Sequence, residues 1–223
     1  MKREQVAQML DLSVLRPEST RADALAGCRL GIEHGVKSVI VLPCWIDDIV
    51  EALRGSKVLP SVVIGFPFGG ETPATKAASS KEATQRGAVE LDVVLSVGKL
   101  RDGKKDFVRD DIKGVVQAAK GVNPKAIIKV ILETCYLDDA QKKLACQISE
   151  EAGADFVKTS TGFGSKGATV EDIRLMRASV SPKIGVKASG GIRDWAAAGA
   201  LIAAGANRLG CSNPASILDG MPK

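Results

Sequence analysis

The sequence contains a single histidine, His34, and that scarcity removes whole chemistries. Ser-His-Asp triads, H-E-x-x-H sites and multi-histidine zinc centres all need imidazoles that this chain lacks. His34 itself lies in GIEHGVKS, a helix-to-strand connection, where a helix C-terminus suits it. Acid-base work therefore falls to Asp, Glu and Lys.

Cysteine is also sparse: Cys28, Cys44, Cys135, Cys146 and Cys211 are odd in number, widely spaced and without a C-x-x-C pair. This pattern fits neither a disulfide framework nor a zinc cluster, and it points to a reducing, cytoplasmic compartment. Aromatic residues are only 4% of the chain and no run of four Lys/Arg occurs, so the net charge of +5 does not describe a nucleic-acid surface. A small anionic, phosphorylated ligand fits better. No apolar run of 18 residues is present and MKREQVAQML is no signal peptide, so neither a membrane span nor a membrane partner is expected.

What is present is regular. The 223 residues, 45% of them hydrophobic, suffice for one large domain, and no linker or composition break divides positions 1–223. Eight apolar, β-branched runs read as strands: 10–15, 37–42, 61–66, 89–95, 126–133, 154–160, 183–189 and 206–212. Helical segments lie between them, and a short one starts at Pro214. Thr169 with Asp172 resembles a capping box, and Gly35, Gly55, Gly87, Gly121, Gly153 and Gly205 stand where helix C-caps belong. Parallel strands need crossovers, and a crossover helix covers the sheet face, so the repeat of about 28 residues predicts a single-domain (β/α)8 barrel of the TIM class. An open doubly wound sheet is the alternative architecture for the same alternation.

A barrel places its site at the C-terminal ends of the strands, where polar residues interrupting buried runs become candidates. Three are lysines: Lys129, Lys158 and Lys187. An ammonium there costs several kcal/mol unless it is paired or its pKa falls. Asp11, Asp92 and Glu133 are the accompanying carboxylates, with Glu90 on the face of Asp92. If Lys158 and Lys187 sit on adjacent strands, one can be neutral near pH 7 and attack a carbonyl to form a Schiff base. Binding of an anion by both, or salt bridges that only satisfy the interior, are the competing structural readings. Asp11, Lys129, Thr159 and Ser160 are candidates for lining the substrate pocket.

SGGIRD (189–194) and GCSNP (210–214) run from the last two strands into helices, the places where barrels bind phosphate through backbone N–H groups. Gly162, Gly190, Gly191, Gly210, Ser212 and Asn213 are the phosphate candidates, plain turn duty being the alternative. Gly162, Gly164 and Gly167 also spell G-x-G-x-x-G, but Val186, Lys187 and Ala188 stand where a dinucleotide site needs an acid, so no NAD is expected.

DFVKTSTGF (155–163), VKASGGIR (186–193), GAVELDVVLSVGKL (87–100), IGFPFGGETPATK (64–76) and IKVILET (128–134) together resemble class I deoxyribose-phosphate aldolases. The resemblance runs from LDLSVLRPEST (10–20) to RLGCSN (208–213), essentially the whole chain. It implies reversible cleavage of 2-deoxyribose 5-phosphate to acetaldehyde and glyceraldehyde 3-phosphate, without cofactor or metal. Lys158 would carry the Schiff base, Lys187 would depress its pKa and Asp92 would join the proton relay. Asp11 matches the family's N-terminal aspartate, and Arg193 joins the phosphate positions. The bond expected to break joins carbons 3 and 4. Departures include D-L-S-V-L-R-P for D-H-T-L-L-K-P, Leu42 where the family often has Asn, and Ser96, which replaces a common Asn; they leave substrate preference less fixed than chemistry. Another lysine-dependent aldolase and a non-catalytic sugar-phosphate sensor are the rival readings. A homodimer is the expected assembly. With Lys223 about ten residues after the last phosphate motif, no tail is expected to fold over the site.

Overall fold

Short runs of Val, Ile and Leu make each strand extended and outward-facing apolar, and eight such strands pair in chain order until the last meets the first. A computed structural model describes residues 1–222; Lys223 lies outside the described residues. The strands are β1 (Leu10–Val14), β2 (Ser38–Val41), β3 (Leu59–Ile64), β4 (Glu90–Val94), β5 (Ile127–Ile131), β6 (Phe156–Lys158), β7 (Gly185–Ala188) and β8 (Arg208–Cys211). All pair in parallel and close into a barrel, with Leu10 opposite Leu209 at the seam. The expected (β/α)8 barrel is the observed one, and the open sheet is excluded by that closure.

Ten helices accompany the strands among the described residues: α1 (Arg3–Ala7), α2 (Arg21–His34), α3 (Ile46–Ala52), α4 (Pro73–Gln85), α5 (Val97–Arg101), α6 (Lys105–Val122), α7 (Asp139–Glu151), α8 (Val170–Ser179), α9 (Trp195–Ala203) and α10 (Pro214–Leu218). Alternation splits every strand between two environments. Outward residues such as Val39, Ile64, Val93, Ile128, Val157 and Val186 join the helices in one continuous apolar core. Each such burial contributes roughly 1.5–3 kcal/mol. Helix α6 shows the matching period, burying Val108, Ile112, Val115 and Ala119. No described helix is long and apolar enough to cross a membrane.

The helix starts follow the capping chemistry. Thr20, Asp138, Thr169 and Asp194 each accept the backbone N–H three residues on. His34 is the last residue of α2, and Gly35 closes it with φ +62°. Gly121 differs from expectation: α6 runs through it to Val122 and stops at Asn123, because Ala119 still packs inward one turn earlier. Strand β5 ends at Ile131 rather than at 133, and β6 at Lys158 rather than 160. Helices α1 and α5 were not expected. Helix α1 forms because the Gln5 side chain accepts the Lys2 N–H and Val6 and Ala7 are buried.

Candidate active site

Strands β1 and β4 to β8 each turn at least one charged residue inward, which a barrel interior tolerates only through mutual pairing. Register sets Lys158 beside Lys187 and Asp92 beside Lys129. The ammonium groups of Lys158 and Lys187 both lie 2.7 Å from the same oxygen, Asp92 Oδ2. Lys187 also reaches Asp11 Oδ2 at 2.6 Å. Below them Lys129 contacts Glu90 at 2.6 Å, Asp92 Oδ1 at 3.0 Å and Asp11 at 3.1 Å. Arg208 completes the floor, bonding Asp11 Oδ1 at 2.6 Å and also Glu90 Oε1. Ser38 donates to Asp11 Oδ1 at 2.8 Å.

These contacts set the protonation states. Burial pushes the Lys158 amine down and outweighs the pull of Asp92; with Lys187 and Lys129 adding to the depression, it falls from 10.5 to about 8. Burial also opposes the charge on Lys129, but three carboxylates around it hold its ammonium well above the usual lysine range. Asp11 and Asp92 are buried too, yet their cationic neighbours keep both well below the usual carboxylate range. The same lattice thus holds Lys129 charged and draws Lys158 toward neutrality.

Above this lattice opens a cavity of about 280 Å³, with Lys158 and Lys187 in its wall. Its rim comes from the loops after β1, β6, β7 and β8, through Arg16, Gly162, Phe163, Gly190, Gly191, Arg193 and Ser212, and from Gly210 near the end of β8. Consecutive left-handed residues, Gly190 at φ +86° and Gly191 at φ +80°, turn the chain after β7. The loop after β6 is docked on that turn: Ala168 donates to Ser189 O at 3.0 Å, and a Cβ on Gly167 would sit 2.1 Å from Gly190 O. The third glycine of the G-x-G-x-x-G pattern is thus a packing residue, two positions before the Thr169 cap.

Glu133 anchors the same loop from the other side. It lies past β5 at φ +53°, accepts the Thr161 N–H at 3.2 Å and the Thr161 hydroxyl, and burial pushes its carboxyl up. The expected strand over 126–133 is therefore corrected at Glu133: β5 has ended at Ile131, and the left-handed backbone at Glu133 turns its side chain to Thr161.

The structure brings Lys158, Lys187, Gly162, Gly190, Gly191, Arg193, Gly210 and Ser212 to one cavity and sets Asp92 directly beneath it. Asp11 and Lys129 lie in the floor, outside the cavity wall. Thr159 donates to Ser189 O at 3.1 Å, and the buried Ser160 hydroxyl meets no hydrogen-bond partner among the described residues; neither lines the cavity. Asn213 caps α10 by accepting the Ala215 N–H at 3.0 Å and is likewise off the wall. Leu42 and Ser96 also lie outside it. The sequence reading missed Arg16, Ser13, Ile40 and Phe163 in the wall and Arg208 in the floor. For Arg208 the signal was available, since it breaks an apolar strand as the lysines do.

The family model described as DeoC/LacD family aldolase matches residues 6–212. A deoxyribose-phosphate aldolase of Geobacillus sp. (strain WCH70) is 48% identical over 215 residues, covering 96% of this chain and 95% of that one. That of Carboxydothermus hydrogenoformans is 49% identical, covering 97% and 95%. Among solved structures, the tetrameric deoxyribose phosphate aldolase of Aeropyrum pernix superposes with a TM-score of 0.90 at 32% identity, covering 98% of this chain and 91% of that one.

Proposed function

Because this chain belongs to the DeoC/LacD family of aldolases, we propose that it cleaves 2-deoxyribose 5-phosphate reversibly to acetaldehyde and glyceraldehyde 3-phosphate through a Schiff base on Lys158. The observation that carries the assignment of the nucleophile is the shared Asp92 oxygen: two ammonium groups in the cavity wall lie 2.7 Å from one carboxylate atom, and one of them, Lys158, is pushed down to about 8.

The neutral Lys158 amine adds to carbon 1 of the open-chain sugar, and loss of water leaves an iminium. Acetaldehyde takes two carbons, so the bond that breaks joins carbons 2 and 3, which corrects the expected break between carbons 3 and 4. Its electron pair moves into the iminium to form an enamine, while the 3-hydroxyl loses its proton and carbon 3 becomes the aldehyde of glyceraldehyde 3-phosphate. Lys187 lines the cavity and Asp92 does not, so the proton reaches Asp92 by way of Lys187 and a water. Protonation of the enamine at carbon 2 and hydrolysis release acetaldehyde and restore the amine. The 5-phosphate sits among Gly162, Gly190, Gly191, Gly210 and Ser212, with Arg193 at the rim. Five free thiols support a cytoplasmic setting for this chemistry.

Borohydride reduction in the presence of acetaldehyde, followed by peptide mapping, tests the assignment. An ethyl adduct on Lys158 is expected; an adduct on another lysine, or none, removes Lys158 from the mechanism.

A further inference from the structure

The barrel floor contains four charged groups that the mechanism does not use, Asp11, Glu90, Lys129 and Arg208. Counting them in, the interior holds four cations, Lys129, Lys158, Lys187 and Arg208, against three carboxylates, Asp11, Glu90 and Asp92, with no side chain more than 6% exposed. One positive charge is in surplus, in a region where an uncompensated charge is strongly disfavoured. A guanidinium does not give up its proton, so the surplus must be shed by a lysine.

Which lysine sheds it follows from the contacts. Lys129 touches three carboxylates and Lys187 touches two. Lys158 touches only Asp92, on the oxygen that Lys187 also uses. Glu133, past β5, also lies near Lys158, but it is engaged with Thr161 and burial pushes its carboxyl up, toward the neutral form, while Arg16 and Arg193 lie at the cavity rim and add no negative charge.

We propose that Arg208, which does not line the cavity, is a positioning residue that makes the nucleophile: its permanent charge on Asp11 and Glu90 creates the surplus that Lys158, the lysine with fewest carboxylates, relieves by giving up its proton most readily. This rests on the reading of Lys158 as the Schiff-base lysine and extends it to the group that sets its state. Without Arg208 the count is three against three, and Lys158 keeps its proton. Without Glu90 the surplus grows and Lys158 loses it more readily.

The test is a pH titration of Lys158 in the full chain, labelled with [ε-13C]lysine and followed by NMR, beside kcat/KM against pH. In the parent both midpoints should fall near 8. Arg208→Met should raise the Lys158 midpoint and the acid limb of kcat/KM by about one pH unit, a roughly tenfold loss on the acid side, with the alkaline plateau retained. Glu90→Gln should move both the other way, the double variant should return them toward the parent, and Arg208→Lys should leave them in place. A pH-independent loss in Arg208→Met, or shifts of the same sign in both single variants, overturns the proposal. Should Arg208→Met not fold, an unmoved midpoint in the isosteric Glu90→Gln overturns it alone. The two readings fail separately: adduct formation on another lysine with a shifting Lys158 midpoint sinks the nucleophile and keeps the lattice. Adduct formation on Lys158 with an unmoved midpoint does the reverse.

Discussion

Two lysines, both almost fully buried, have opposite fates in this molecule. Lys76, on α4 in the helical layer, is 0% exposed and gives its ammonium to Asp111 of α6 at 2.6 Å and to the Val94 carbonyl at 3.0 Å. Lys158, inside the barrel, is 3% exposed and has only a carboxylate oxygen that Lys187 also occupies. Lys76 has a private counter-ion and does not line the active-site cavity; it staples two crossover helices to the end of β4. Lys158 is underpaired and borders open space. Burial alone therefore does not make an amine reactive. The share of negative charge available to it, and a path for a carbonyl compound, decide the matter.

The hardest test of this contrast is Lys158→Leu. Turnover should fall by about four orders of magnitude or more, as expected for loss of a covalent nucleophile. The fold should persist, because removing this cation leaves three positive against three negative groups in the interior. Circular dichroism and a thermal melt beside the assay check both halves; retained turnover, or collapse of the fold, would break the contrast. Lys76→Met should give the opposite pattern. Asp111, whose carboxyl burial already pushes up, would be left without its cation, so stability should drop by about 3–5 kcal/mol while kcat per folded molecule is retained. Urea titration with a normalised assay reads this, and unchanged stability would show that the buried pair contributes nothing.

Both lysines bear on what was legible from the chain alone. Strand and helix periodicity made the parallel β/α alternation legible, because parallel pairing forces crossovers and outward faces must meet helices; the count of eight units favoured a closed barrel over an open sheet, and the pairing of β8 with β1 decided it. Lys158, Lys187 and Asp92 were legible because a charge breaking an apolar strand has few bland explanations. Arg208 satisfies the same test and was overlooked, being treated as part of a strand and not as a charge inside it. Lys76 and Asp111 were not legible: each sits in a segment of ordinary helical polarity, and their meeting depends on how α4 packs on α6. Glu133 was misplaced because the end of β5 is set by a left-handed backbone residue that no propensity favours for glutamate. Asn213 was grouped with the phosphate glycines, although an Asn before a Pro-initiated helix serves equally as a cap, and capping is the role seen here.

A third kind of cation extends the comparison outward. Arg16 and Arg193 stand at the cavity rim, solvent-exposed and without an ion pair among the described residues. Neither is stapled like Lys76 nor crowded like Lys158, so each keeps its charge and is available to an anion that arrives. A guanidinium bonding a phosphate contributes about 1.5–3 kcal/mol, less at an exposed rim, where salt screens it. Arg193→Met should accordingly raise KM for 2-deoxyribose 5-phosphate by about tenfold, an effect of about 1.4 kcal/mol, with kcat nearly unchanged. The unphosphorylated sugar should not notice the change, and the difference between the two substrates should shrink as ionic strength rises. A floor cation acts on the amine and hence on both substrates alike, whereas a rim cation acts on the phosphate alone. Equal losses for the two sugars would therefore move Arg193 from the rim class to the floor class.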